Sequence, residues 1–492
     1  HAKTKGPRGV FCACSTENPS GKRFRTVTIG SLELFSSRIR IETVNTARMS
    51  NNTQWGSRLG FILASAGSAI GLGAIWEFPF WAGANGGGAF IIPYVLFTFT
   101  IGVALVAGEI AIGRHGRGSA VSALRKTGGK YFAVLGGFSV LTAYVILSYY
   151  SVVGGWCFAY LVESLSGSIA VSDANLLKEH FGVLVTDGAS NVGWHLAFLS
   201  LTCATVVFGI QRGIERVSKF LMPTLFVLML AITARCLTLP GAAAGVEYLF
   251  DFSWEDVTST AVLNAMGFTF FSLSLGAGIL VTYGSYLSKE TCIPNASLWV
   301  AVLAVQASLL AGLMIMPAVF AFGLEPDAGP GLVFITVPLI FSHLPAGDLF
   351  ALLFYVCLLV AALTSSVSLL EVVVSFLQNE WHLTRAVSVV LCWVTLFVLG
   401  SFSALSFGVW SNLQFFGRTI FDLLDFVCTN VLMPVGGLTI AVLAGWTAWP
   451  AVRDELTSAR PYGAATLKFL HAAIAVLAPI LVLVTIYQGL FA

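Results

Sequence analysis

The chain holds 492 residues, 57% of them hydrophobic and 10% charged, with a formal net charge of +2. Soluble globular proteins carry roughly 45–50% apolar and about 25% charged residues, so most of this chain belongs in a bilayer. A nucleic-acid binder, a disordered protein, a secreted disulfide scaffold and a soluble domain on a single anchor are excluded.

Residues 1–48 differ from the rest. Residues 1–50 carry nine Lys/Arg and three Asp/Glu, hence +6, whereas the remainder carries 17 and 21, hence −4. The stretch begins at His1, contains no apolar run of spanning length and stops just before Met49. It reads as a gene-start artefact or a disordered basic tail, with a basic arm on the membrane surface as the alternative. Residues 49–492 read as the membrane domain.

A bilayer core takes about 20 apolar residues per helix. Eleven stretches qualify, near 59–80, 88–113, 131–163, 193–211, 217–238, 259–287, 295–323, 347–378, 385–405, 412–444 and 468–490. The fold class is therefore all-α integral membrane. Two spans do not read as continuous helices. The first carries Gly67, Ser68, Gly71 and Gly73, and the sixth carries Ser272, Ser274, Gly276 and Gly278. Such clusters weaken a helix at mid-bilayer. Broken backbone inside a membrane is tolerated where it lines a cavity, and it offers bare N–H and C=O groups to a ligand. Close helix packing through small residues is the alternative. Breaks in both spans one and six favour a site. Two halves follow, about 55–238 and 259–444, each opening on an interrupted helix, an inverted 5+5 repeat with an extra helix at about 468–490.

Of the seventeen Lys/Arg beyond residue 50, fourteen fall on one side of these spans, and only Lys178, Arg235 and Arg418 fall on the other. The positive-inside rule puts the N-terminus in the cytoplasm and the C-terminus outside a multi-pass plasma or inner membrane. The outer loops are acidic, with Asp173, Glu247, Glu255 and Asp256 among them. The cysteines beyond the tail lie in or beside apolar runs with no CxxC or Cys/His spacing, and read as small apolar fillers. No P-loop, HExxH or GxSxG occurs, which argues against an ATP-driven pump and an intramembrane enzyme. Glu109 and Glu371 lie near membrane depth, where a carboxylate is a functional candidate. For Glu109 a structural hydrogen bond is an equal alternative.

Several motifs recur along these spans. They are Trp55-Gly-Ser-Arg-Leu-Gly60, Ala66-Gly-Ser-Ala-Ile-Gly-Leu-Gly73, Asn85-Gly-Gly-Gly-Ala-Phe90 and Glu109-Ile-Ala-Ile-Gly-Arg114. Tyr149-Tyr-Ser-Val-Val-Gly-Gly-Trp156, Phe270-Phe-Ser-Leu-Ser-Leu-Gly276 and Ala362-Leu-Thr-Ser-Ser366 follow. Together, over roughly residues 52–490, they resemble the neurotransmitter:sodium symporter family in its bacterial amino-acid branch. The resemblance implies the fold of the bacterial leucine transporter and sodium-driven amino-acid uptake by alternating access.

It also implies a site. The substrate carboxylate would meet the backbone N–H groups of Leu72 and Gly73 and the hydroxyl of Tyr150. Gly71, where monoamine carriers hold an Asp, favours an amino acid over a monoamine. The side-chain pocket would involve Ala69, Phe271, Ser272, Ser274, Ala277, Ser365 and Leu369, and the small Ala277 favours a bulky apolar or aromatic amino acid. A second sodium site is implied at the carbonyls of Gly67, Ile70 and Ala361 and the hydroxyls of Thr364 and Ser365. The family's first sodium site is reduced to Ala69 and Ser272, because Ala74 and Ala304 replace oxygen-bearing side chains. One sodium is therefore expected. Chloride dependence stays open, with Ser308 near the family's anion position.

At the outer gate Glu77 replaces an Arg opposite Asp425, and Phe268 replaces a bridging Gln. Two facing carboxylates repel unless one holds a proton. At the inner gate Asn52 and Asn379 replace an Arg–Asp pair, with Tyr286 nearby. Both gates are thus expected to be uncharged or repulsive. These departures motivate a second reading, a non-transporting amino-acid sensor on the same fold. The expected partners are a small-molecule amino acid and the lipid bilayer, with no nucleic acid; the oligomeric state is open.

Overall fold

The computed structural model describes residues 54–167, 173–323 and 331–491. The basic tail and Asn52 lie outside the described residues. Among the described residues, nine continuous helices are long and apolar enough to cross a membrane: span 2 (Gly88–Gly116), span 3 (Lys130–Ser166), span 4 (Gly188–Val207), span 5 (Ile210–Leu237), span 7 (Ile293–Ala321), span 8 (Gly347–Glu380), span 9 (Arg385–Leu405), span 10 (Ile420–Thr447) and span 11 (Ala464–Leu490). Two more are interrupted. Span 1a (Arg58–Ala69) and span 1b (Leu72–Ala84) meet at a bend of 51°. Span 6a (Ser259–Ser272) and span 6b (Ile279–Ser285) are separated by residues 273–278.

The two breaks use different backbone chemistry. At the first, Ile70 (φ −95°, ψ 69°) and Gly71 (φ −93°, ψ −165°) leave the helix without entering the left-handed region. At the second, Ser274, Gly276 and Gly278 have φ of 52°, 83° and 74°. Glycine adopts such angles freely, whereas Ser274 does so against a steric penalty. Close packing fixes this second break. A Cβ on Gly276 would lie 2.2 Å from the carbonyl oxygen of Met433, and one on Gly436 would lie 2.2 Å from that of Gly276.

Several span boundaries differ from the sequence expectation, span 5 beginning at Ile210 rather than near 217 among them. Span 10 begins at Ile420 rather than near 412, because Thr419 caps it and accepts a hydrogen bond from the Asp422 N–H at 3.2 Å. The residues before it form turns closed by a Phe415–Arg418 bridge. Span 4 starts at Gly188, where the Asp187 carboxylate accepts from the Ala189 N–H at 3.2 Å, and ends before Gly209, whose φ is 86°. At both starts a polar cap, not the apolar run, sets where the helix begins.

Span 8 is the most enclosed helix, with 72% of its apolar window buried against 33% for spans 5 and 9. It packs on spans 3, 5, 4 and 1a. Val387, Val390, Val394 and Val398 form an exposed stripe at helical spacing on span 9. That pattern suits a lipid-facing helix around a packed centre.

Candidate functional site

The centre of the site is the point where span 1 breaks. A Cβ on Gly71 would lie 2.7 Å from Ser365 Oγ and 3.0 Å from the Tyr150 hydroxyl. Only a residue without a side chain lets both hydroxyls approach the break so closely. The Leu72 N–H donates to the Tyr150 hydroxyl at 3.2 Å. A helix N-terminus and a phenol thus converge on one small space, the arrangement a carboxylate needs in a dry cavity.

The side-chain wall forms around the same break. Phe271 lies against bare Gly73 backbone, where a Cβ would come within 2.3 Å of the ring. Ser274 Oγ donates to the Ser68 carbonyl at 2.9 Å, tying the two breaks together. Ala69, Ala277 and Leu369 are buried. The structure gathers the breaks of spans 1 and 6 with span 3 at Tyr150 and span 8 at Ser365.

The expected second cation site is gathered too. Ser365 Oγ donates to the carbonyls of Gly67 at 3.1 Å and Ser68 at 3.2 Å. Thr364 Oγ1 donates to the Ala361 carbonyl at 3.0 Å, and a Cβ on Gly67 would lie 3.0 Å from Thr364 Cβ. Ile70 caps the same helix end, its N–H bonded to the Ala66 carbonyl at 2.8 Å. These neutral, hard oxygens at a helix C-terminus fit a monovalent cation.

The expected first site is poorer. Ala74 and Ala304 are buried and carry no oxygen, and Ser272 Oγ donates to Thr269 of its own helix at 3.3 Å. One turn beyond Ala304, Ser308 meets the Tyr94 hydroxyl at 3.2 Å.

The two ends of the bundle differ. At the acidic end Glu77 and Asp425 stand in electrostatic reach of each other, with Tyr149 in reach of both. The Trp76 Nε1–H donates to Glu77 at 3.4 Å, and the Thr429 hydroxyl donates to Asp425 at 3.3 Å. Phe268 does not join them. With no polar atom to offer, it packs among Phe78, Phe90 and Tyr94, ring centroids 5.2–5.9 Å apart.

At the basic end, where Asn52 lies outside the described residues, span 8 also carries a charged pair. Asn379 is turned back onto its own helix, donating to the Ser375 carbonyl at 2.8 Å. Eight residues earlier on span 8, Glu371, 0% exposed, is paired with the guanidinium of Arg385 through both carboxylate oxygens. Tyr286 donates to Glu371 Oε1 at 2.9 Å. Span 6b is then tied to the start of span 1, because the Trp55 indole N–H donates to the Tyr283 carbonyl at 3.0 Å. An intramembrane acid fourteen residues before an Arg at the next helix start was the available signal. Glu215 was also missed. It accepts from the Gly56 N–H at 2.7 Å, Ser57 Oγ at 2.9 Å and Lys219 Nζ at 2.6 Å, and so caps span 1a. Glu215→Ala is expected to destabilise that helix start by about 1 kcal/mol, read as faster proteolysis near Trp55.

Similarity to known proteins agrees with this geometry. The sodium:neurotransmitter symporter family profile matches residues 52–180 and 177–492. An uncharacterized sodium-dependent transporter of Bacillus subtilis, YhdH, is 42% identical over 393 residues, covering 79% of this chain and 86% of that protein. An uncharacterized sodium-dependent transporter of Haemophilus influenzae is 35% identical over 425 residues, covering 83% and 93%. The crystal structure of MhsT in complex with L-phenylalanine superimposes with a TM-score of 0.82 at 38% identity, over 89% of this chain and 100% of that one. The chain is a multi-pass membrane transporter rather than an enzyme, and it belongs to the sodium:neurotransmitter symporter family.

Proposed function

We propose that this protein is a symporter that couples uptake of a bulky apolar or aromatic amino acid to one sodium ion, by alternating access. The observation that carries the reading is the convergence at Gly71 of Ser365 Oγ, the Tyr150 hydroxyl and the N-terminus of span 1b. That corner takes the substrate's own carboxylate, and the free ammonium faces the carbonyl end of span 1a. Ala277 leaves room for a large side chain, and MhsT, similar over its whole length, was crystallised with phenylalanine. The single sodium lies among Gly67, Ile70, Ala361, Thr364 and Ser365. The basic end faces the cytoplasm.

The test is competition of labelled phenylalanine uptake by tryptophan, leucine and glycine in proteoliposomes. Tryptophan and leucine are expected to compete and glycine to fail; a glycine preference would sink the reading. Uptake is also expected to rise as the external solution becomes mildly acidic. A proton on the Glu77–Asp425 pair removes the repulsion that opposes closure of that end. Glu77→Gln should flatten the profile, and an unchanged profile in that variant counts against a titrating pair.

A further inference from the structure

Four glutamates are buried among the described residues: Glu109, Glu215, Glu371 and Glu455. Three of them have a cation. Glu215 pairs with Lys219, Glu371 with Arg385 and Glu455 with Arg114. Glu109, 1% exposed, has none. Its Oε1 accepts from the Gly276 N–H at 2.8 Å, and its Oε2 is buried without a hydrogen-bond partner.

The surroundings offer no compensation. Span 6a, span 6b, span 7, span 10, span 11 and the helices Ala120–Gly128 and Trp449–Thr457 pack on span 2, and no titratable side chain from them bonds to Glu109. Of the charged groups on those elements, Arg125 pairs with Glu380, Glu455 with Arg114, Asp425 accepts from Thr429 and His471 bonds to the Gly445 carbonyl, while Lys126, Asp422, Arg453, Asp454 and Lys468 are exposed. A carboxylate held by one N–H in a dry membrane interior is far costlier than a neutral carboxyl. The bare Oε2 is where the proton belongs. The other oxygen holds Gly276, at the centre of the span 6 break and pressed on span 10.

We propose that Glu109 is a proton-binding site coupled to the span 6 break. Its carboxylate takes a proton from water onto Oε2 as the break closes, and the O–H bond breaks to return that proton to water when the break opens. Each closure then binds a proton beside the sodium and substrate. The proposal rests on the transport reading above, since closure is what the substrate drives.

The test uses purified full-length protein carrying Glu77→Gln, so that the acidic end does not contribute. Sodium chloride and L-phenylalanine are added in weakly buffered solution with a pH-indicator dye. Uptake of up to one proton per transporter is expected. Adding Glu109→Gln, which keeps an oxygen to accept from Gly276, is expected to preserve phenylalanine binding and abolish the proton uptake. Equal uptake with and without that change, or phenylalanine binding with no uptake in the Glu77→Gln protein, overturns the proposal. If Glu109→Gln fails to fold, or phenylalanine does not bind, infrared spectra of the Glu77→Gln protein with isotope-labelled glutamate decide. A protonated-carboxyl C=O band that grows when sodium chloride and L-phenylalanine, or another apolar amino acid that binds, are added at neutral pH supports the site, because the other buried glutamates are ion-paired; a band absent or unchanged by the addition refutes it. Phenylalanine that does not bind counts against the substrate reading alone.

Discussion

Arg385→Ala is expected to destabilise the protein by about 3–5 kcal/mol, the usual consequence of stripping one partner from a buried ion pair. The effect is read as a large fall in the melting temperature of the detergent-solubilised protein. Glu371 would be left 0% exposed, with only the Tyr286 hydroxyl for compensation. The replacement of both partners, Arg385→Met with Glu371→Met, should recover most of the loss, because desolvation of the charges is removed together with their attraction. Tyr286→Phe removes one hydrogen bond to a charged group and is expected to cost about 1.5–3 kcal/mol. A functional consequence accompanies the loss of stability. The pair holds span 6b, which holds Trp55 at the start of span 1, so conservative Arg385→Lys should shift the protein toward an open basic end. Faster labelling of a cysteine placed at Ser368 would report this. A melting temperature unchanged in Arg385→Ala would show that the pair is solvated.

Gly71→Ala should abolish phenylalanine binding while leaving the fold intact. The added Cβ would lie 2.7 Å from Ser365 Oγ and 3.0 Å from the Tyr150 hydroxyl, filling the proposed carboxylate corner. Two charge-assisted hydrogen bonds lost at about 1.5–3 kcal/mol each weaken binding by more than about 100-fold. Tyr150→Phe removes one of them and should weaken binding by about 10–100-fold. Because the backbone at Gly71 is extended rather than left-handed, alanine adds no conformational strain there. The melting temperature without substrate should therefore stay near that of the wild type, which separates a binding defect from a folding one. Retained phenylalanine affinity in Gly71→Ala would place the carboxylate elsewhere.

The residues that were legible in the sequence are those under extreme local constraint. Gly67, Gly71 and Gly73 together weaken the helix over one short stretch, and each presses a bare Cα against another span, at Thr364, Ser365 and Phe271. Ser274, Gly276 and Gly278 mark the second break for a related reason, since the chain there runs through the left-handed region. Hydropathy located the spans because the bilayer imposes their length. The misses share a different cause. The Glu371–Arg385 pair and the Glu215 cap depend on which span lies beside which, and a local pattern holds no such information. Phe268 packs in an aromatic cluster rather than beside Glu77 because its partners on spans 1b and 2 are aromatic, a three-way match visible only in the fold. The start of span 10 was misplaced because residues 412–419, with Leu413, Phe415 and Phe416 set among polar residues, form turns ended by the Thr419 cap.

The central claim is that one sodium ion at the span 1–span 8 site drives binding of an apolar amino acid. Its most direct test is equilibrium binding of labelled L-phenylalanine to purified protein across a sodium titration, with potassium as the balancing cation. The account predicts sodium-dependent binding with a Hill coefficient near one, lost in Ser365→Ala and Thr364→Val. A Hill coefficient near two, or phenylalanine binding that is indifferent to sodium, would contradict it.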